Sequence, residues 1–132
     1  MLEEKEGADL HDAVANLGGV AGVISMAAGH KAAAKVQAQF AGLMRDLCVS
    51  DEIANEIAAS GGVEALVGAA HRHFDDSEVM LEVADALRNL SHVDAVSLSV
   101  AKAGGIEVLV DGVARHSSNT KVRYVSVTEG FQ

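Results

Sequence analysis

Six histidines, a single cysteine and three Gly-Gly pairs are the first places to look for chemistry in this 132-residue chain. His71-Arg72-His73, with His92 downstream, invites a metal reading, and Cys48 invites a nucleophile. Neither has the company it needs. His30, His73 and His116 recur at an interval of about 43 residues, so they read as one position repeated. Helices in successive layers sit about 8 to 10 Å apart, too far for such a ladder to share one zinc ion. A histidine closing a helix is better used in capping loose carbonyls and meeting the negative end of the helix dipole. No base is spaced to activate Cys48, which reads as a small, partly buried thiol. The Gly-Gly pairs follow no strand and lead into neither GxGxxG nor a P-loop lysine, so they read as turns rather than phosphate cradles. No catalytic residue, metal site or cofactor is expected, and the chain is not read as an enzyme.

Binding chemistry is better represented. Glu78, Glu82, Asp85 and Asn89 are spaced three and four apart, which places them on one stripe of a helix. Asn89 offers both a donor and an acceptor, as holding an extended peptide backbone requires. Carboxylates beside it would favour lysine or arginine side chains.

What must position these residues is a repeat. A shift of about 43 residues, in the range of helical repeat units, carries Gly18-Gly19-Val20 onto Gly61-Gly62-Val63 and then Gly104-Gly105-Ile106. It also carries Val36 to Val79 to Val122, Arg45-Asp46-Leu47 onto Arg88-Asn89-Leu90, and Ile53 and Ile57 onto Val96 and Val100. The spacing predicts helices over Ala8–Leu17, Val20–Gly29 and Ala33–Cys48, the last with Val36, Phe40, Leu43, Met44 and Leu47 on its inner side. In the second unit Ser50-Asp51 caps a helix ending at Ala59, Val63–Ala70 follows, and Asp75-Asp76-Ser77 caps Glu78–Leu90. The third unit repeats the scheme with Asp94–Ala103, Ile106–Ala114 and a helix from Thr120 onward. Arg45 and Arg88, at one repeat position, are expected to form ion pairs between units with Asp46, Asp85 or neighbouring carboxylates.

The expected fold is all-α: a right-handed α-solenoid of about three three-helix repeats, at residues 8–50, 51–93 and 94–132, the last truncated. Residues 1–7 are expected to be frayed or foreign to the domain. Each unit is too small to bury its own apolar face, so the units must stack and share a core. Hydrophobic residues make up 49% of the chain, yet only Phe40, Phe74, Phe131 and Tyr124 are aromatic. Close packing through alanine and valine must therefore replace bulky anchors. Proline is absent, which leaves glycine as the punctuation.

The motif GG-V/I-E-x-L-V at Gly61–Val67 and Gly104–Val110, followed by Ala86-Leu87-Arg88-Asn89-Leu90-Ser91, resembles the armadillo repeat of eukaryotic scaffold proteins. That resemblance runs from about Ala8 to Gln132. It implies a protein-interaction scaffold whose third helices line a concave groove for an extended or helical partner segment. The groove candidates it implies are Gln39, Gly42 and Asp46 on one side, Glu78, Glu82, Asp85 and Asn89 in the centre, and Lys121, Val125 and Thr128 on the other. Peptide-binding members pair the asparagine with a tryptophan one turn earlier, and here that position holds Gly42, Asp85 and Thr128.

A net charge of −9 is opposite to the basic footprint that phosphate binding needs, so no nucleic-acid partner is expected. The expected partner is a protein or peptide carrying basic residues. No membrane association is expected, since no apolar run approaches a span. A lone cysteine and an acidic start suit the cytoplasm or nucleus. The alternative function is structural. Val122, Tyr124, Val125, Val127 and Phe131 have no following layer to cover them, and an uncapped end of this kind is expected to drive homo-oligomerisation or stacking on further repeats.

Overall fold

The computed structural model describes residues 12–116. Among the described residues there is no strand. A helical stretch at residues 12–16 leads into α1 (Gly19–Ala28), α2 (Ala34–Leu47), α3 (Asp51–Ala59), α4 (Gly62–Arg72), α5 (Ser77–Leu90), α6 (Asp94–Lys102) and α7 (Gly105–Arg115). The chain is therefore all-α over this range. Each observed boundary falls within two residues of the one read from spacing, apart from those of residues 1–11 and the helix from Thr120, which lie outside the described residues.

Local chemistry sets these boundaries. Ser50 Oγ accepts from the Ile53 amide at 3.2 Å, with Asp51 and Glu52 in the first turn of α3. Asp76 Oδ1 accepts from the amides of Glu78 and Val79 at 3.0 and 3.1 Å, which starts α5 at Ser77. In both cases a side chain satisfies amides that a helix start leaves open. α4 and α7 begin differently, on Gly61 and Gly104 with φ of 86° and 83°, a left-handed conformation that only glycine adopts readily. The glycine that follows each serves close approach. A Cβ on Gly62 would run into the Ile57 side chain, and one on Gly105 would lie 2.7 Å from Val100 Cγ1 and 3.0 Å from the Val100 carbonyl oxygen. Each of these two double glycines thus turns the chain and seats the new helix directly on the previous one.

Helices at the same repeat position match in length: 14 residues in α2 and α5, 9 in α3 and α6, 11 in α4 and α7. They also lie against one another, α1 on α4, α2 on α5, α3 on α6 and α4 on α7, with the α2–α5 contact the most extensive. Small buried residues on α2, namely Ala38, Ala41 and Gly42, let these two helices come close. Between them runs a continuous core in which Phe40, Met44, Ile57, Leu66, Met80, Leu87 and Leu90 are almost wholly buried. Each such side chain contributes about 1.5–3 kcal/mol relative to exposure. The seams between units are covered in turn. Ile24 Cδ1 lies 3.4 Å from the Cβ position of Gly62, and Val67 Cγ2 lies 3.5 Å from that of Gly105.

The inner face of α2 departs from expectation. Phe40, Met44 and Leu47 are buried as spacing requires, but Val36 and Leu43 are only half-buried and Gln37 goes inside at 4% exposure. The buried amide is hydrogen-bonded there: Gln37 Nε2 donates to the carbonyls of Ala27 and His30, at 3.0 Å each, adding a second donor to backbone oxygens at and just past the end of α1.

Candidate functional site

Gln39, Gly42 and Asp46 project from α2, and Glu78 and Glu82 from α5. Together with Ala38, Leu43 and Arg45 they line one open depression of about 310 Å³. The two helices that pack most extensively thus bring five of the sequence-derived groove residues to one place. Gly42 is the low point between them, where a Cβ would sit 3.6 Å from Arg45 Nη2 and from Glu82 Oε2. Lys121, Val125 and Thr128, and the self-association candidates Val122, Tyr124, Val127 and Phe131, lie outside the described residues.

Two of the expected residues do not join the depression. Asp85 is held between arginines: it accepts from Arg88 Nε at 3.1 Å, and its other oxygen is 3.6 Å from Arg45 Nη1. Asn89 turns toward the end of α2, its Nδ2 3.5 Å from the Arg45 carbonyl. There it lines a separate depression of about 170 Å³ with Cys48, Ser50, Asp51 and His92. The stripe of Glu78, Glu82, Asp85 and Asn89 is therefore divided between two surroundings.

Arg45 links the two units, and its centrality was visible only in part. It pairs with its neighbour Asp46 at 3.0 Å and crosses to Glu82 and Asp85 on α5. Its pKa is raised by the Asp46 hydrogen bond, against the lowering effect of partial burial, with Glu82, Asp46 and Asp85 adding attraction. Lys35 lies 3.8 Å from Glu78 in an exposed pair. Around the depression, four carboxylates (Asp46, Glu78, Glu82, Asp85) face three cations (Lys35, Arg45, Arg88), leaving one net negative charge. All four carboxylates have a cation nearby, but Glu82 and Asp85 are the more buried, so those most open to solvent are Asp46 and Glu78. The signal that could have exposed this is the pairing of position 45 with positions 82 and 85. These are the repeat counterparts of Gln39 and Gly42, displaced from position 45 by about two turns and one turn respectively.

The histidines act between units. His73 Nε2 lies 2.7 Å from the Lys31 carbonyl, and His116 Nε2 lies 2.7 Å from the Phe74 carbonyl. Both geometries require a proton on Nε2. The expected role was capping a helix end, and the correction is which end. Each ring reaches the carbonyl just past the equivalent histidine of the preceding unit, not its own. Among the described residues no three His, Cys, Asp or Glu side chains gather as a metal site would need. Cys48 is half-buried, and burial, with Asp51 nearby, raises its thiol pKa. No described helix is long and apolar enough to cross a membrane. Comparison with family models, characterised proteins and solved structures returns no match to this chain.

Proposed function

We propose that this chain is a protein-interaction scaffold: a right-handed armadillo-type solenoid of about three units, holding an extended or helical partner segment along its third-helix face. The observation that carries the reading is the depression between α2 and α5, where exposed polar groups from equivalent helices face one opening. Stacking of each helix on its counterpart supports the repeat architecture. Basic side chains in the partner would meet Asp46 and Glu78, the two most exposed carboxylates of the depression. A single net negative charge makes this preference modest, on the scale of exposed ion pairs. Gln39 and Leu43 beside them supply an amide and an apolar contact.

The test is fluorescence anisotropy with labelled, unstructured peptides of matched length carrying lysine and leucine, or glutamate and leucine. The lysine peptide should bind more tightly, and Asp46→Lys with Glu78→Lys should weaken it by roughly tenfold, about 1.4 kcal/mol. Equal binding of both peptides, or no change in the double variant, would refute the assignment.

A second reading is favoured by one specific contrast. Val67 is 4% exposed because the next unit covers it at Gly105, whereas Val110, at the same repeat position, is 61% exposed. That apolar surface suits stacking on a further repeat or on a second copy. Light scattering across concentration, with Val110→Lys as comparison, reads this out. A monomer at every concentration would count against the second copy.

A further inference from the structure

The α1–α4 seam and the α4–α7 seam use the same repeat positions but fill them differently. In the α4–α7 seam, Phe74 is packed partly buried against the core, Met80 and Val108 are buried, and the Met80 methyl lies where a side chain on Gly112 would be. One repeat earlier, the corresponding positions hold Lys31, Gln37, Ala65 and Ala69. Gln37 cannot fill the space as Met80 does, because its amide is drawn to the Ala27 and His30 carbonyls. The result is a groove of about 290 Å³ whose floor is Ala27, Ala28, Ala65, Gly68 and Ala69.

The groove is polar at its ends and differs from one end to the other. Glu64 stands at the first turn of α4, and Arg72 at its last, about 12 Å away by helical rise. The His73 bond to the Lys31 carbonyl keeps Lys31 at the Arg72 end. Both cations are exposed, and neither makes an ion pair among the described residues. Gln37 also lines the groove. With both Nε2 protons engaged, its Oε1 is the acceptor it has left.

We infer that this groove docks an acidic segment of a partner protein that presents an unbranched aliphatic side chain. The aliphatic group lies over Gly68 and Ala69, as the Met80 methyl lies against Gly112 one unit on. A carboxylate on the same segment meets Lys31 and Arg72, and a backbone N–H donates to Gln37 Oε1. Charge complementarity selects the partner: two unsatisfied cations share one end of an apolar trough on a chain whose net charge is −9. This surface is formed by α1 and α4 with Lys31 and Gln37, shares no residue with the α2–α5 depression, and does not depend on the function proposed for that depression.

The experiment titrates the isotope-labelled chain with an acetylated, amidated hexapeptide of one methionine among five glutamates, read by amide chemical shifts. Its control is the same peptide with lysines for glutamates. Saturable shifts are expected at Ala28, Lys31, Gly68 and Arg72 with the glutamate peptide. Lys31→Glu with Arg72→Glu should weaken binding by roughly tenfold, and Gln37→Met should fill the groove and abolish it. Lys31 and Arg72 are exposed, so their double variant keeps its fold, checked by an unchanged thermal transition. The inference is overturned by an absence of saturable shifts, by equal response to the lysine peptide, or by shifts centred on Gln39 and Glu78. It is equally overturned if raising the protein concentration alone moves the groove amides, since the occupant would then be a second copy.

Discussion

Alanine at Gly68 and alanine at Gly105 should move stability in opposite directions, although both are glycine-to-alanine changes within helices. Gly68 is exposed near the middle of α4, and a Cβ there meets nothing within 4 Å. Only intrinsic preference then acts, and alanine should stabilise by about 0.5–1 kcal/mol. Gly105 is buried in the first turn of α7, where a new Cβ would stand 2.7 Å from Val100 Cγ1 and 3.0 Å from the Val100 carbonyl oxygen. Val100 is 2% exposed, so its methyl has no free space to move into, and the oxygen moves only with α6. Displacing them costs about 1–3 kcal/mol, more than the same propensity gain returns, so Gly105→Ala should destabilise by about 1–2 kcal/mol net. Urea unfolding followed by far-UV circular dichroism measures both, with unchanged slope showing that the midpoint shift is a stability change. If Gly105→Ala proved as stabilising as Gly68→Ala, α7 would not sit directly on α6, and the role given to the double glycines would fail.

Other outcomes follow from individual contacts. His116→Ala removes the bond to the Phe74 carbonyl between units and should cost about 0.5–1.5 kcal/mol by denaturant titration. His92→Ala, on an exposed ring, should change stability by less than about 0.5 kcal/mol. Arg45→Met leaves Glu82 and Asp85 without their cross-unit cation and should destabilise by about 1–2 kcal/mol. The same variant should bind the lysine-leucine peptide more tightly than the parent does. Cys48, with its pKa raised by burial and Asp51, should react with iodoacetamide more slowly than a free thiol at neutral pH and catch up only as pH rises. The linked stability has a definite sign: because the folded thiol holds its proton longer than the unfolded one, its contribution is intact below the unfolded pKa. It falls as pH rises through the folded value.

Helix positions and caps were readable along the chain because they depend on neighbours within a turn or two. Ser50 and Asp76 cap because an oxygen one side chain away meets amides two or three residues on. Gly61 and Gly104 turn the chain because left-handed φ is a local property. The apolar stripe Val79, Val83, Ala86, Leu87 and Leu90 is buried as its spacing demands. The candidate site was half readable: five residues meet in one depression, while Asp85 and Asn89 are drawn to Arg88 and to the Arg45 carbonyl. Spacing along α5 alone cannot distinguish a solvent-facing carboxylate from one that faces an arginine of another helix.

Amino-acid order thus decided the helices, their starting residues and the interval at which they recur, since backbone preference and burial periodicity act within each segment. Packing of unit on unit decided the partners. His73 reaches Lys31 and not its own helix end, Arg45 spans to Glu82, and Gln37 turns inward to the Ala27 and His30 carbonyls, because those outcomes depend on the rotation and offset between stacked helices. The α1–α4 groove has the same origin. A repeat shows that Gln37 and Met80 are equivalent, but only the three-dimensional arrangement shows that one fills its seam and the other leaves it open.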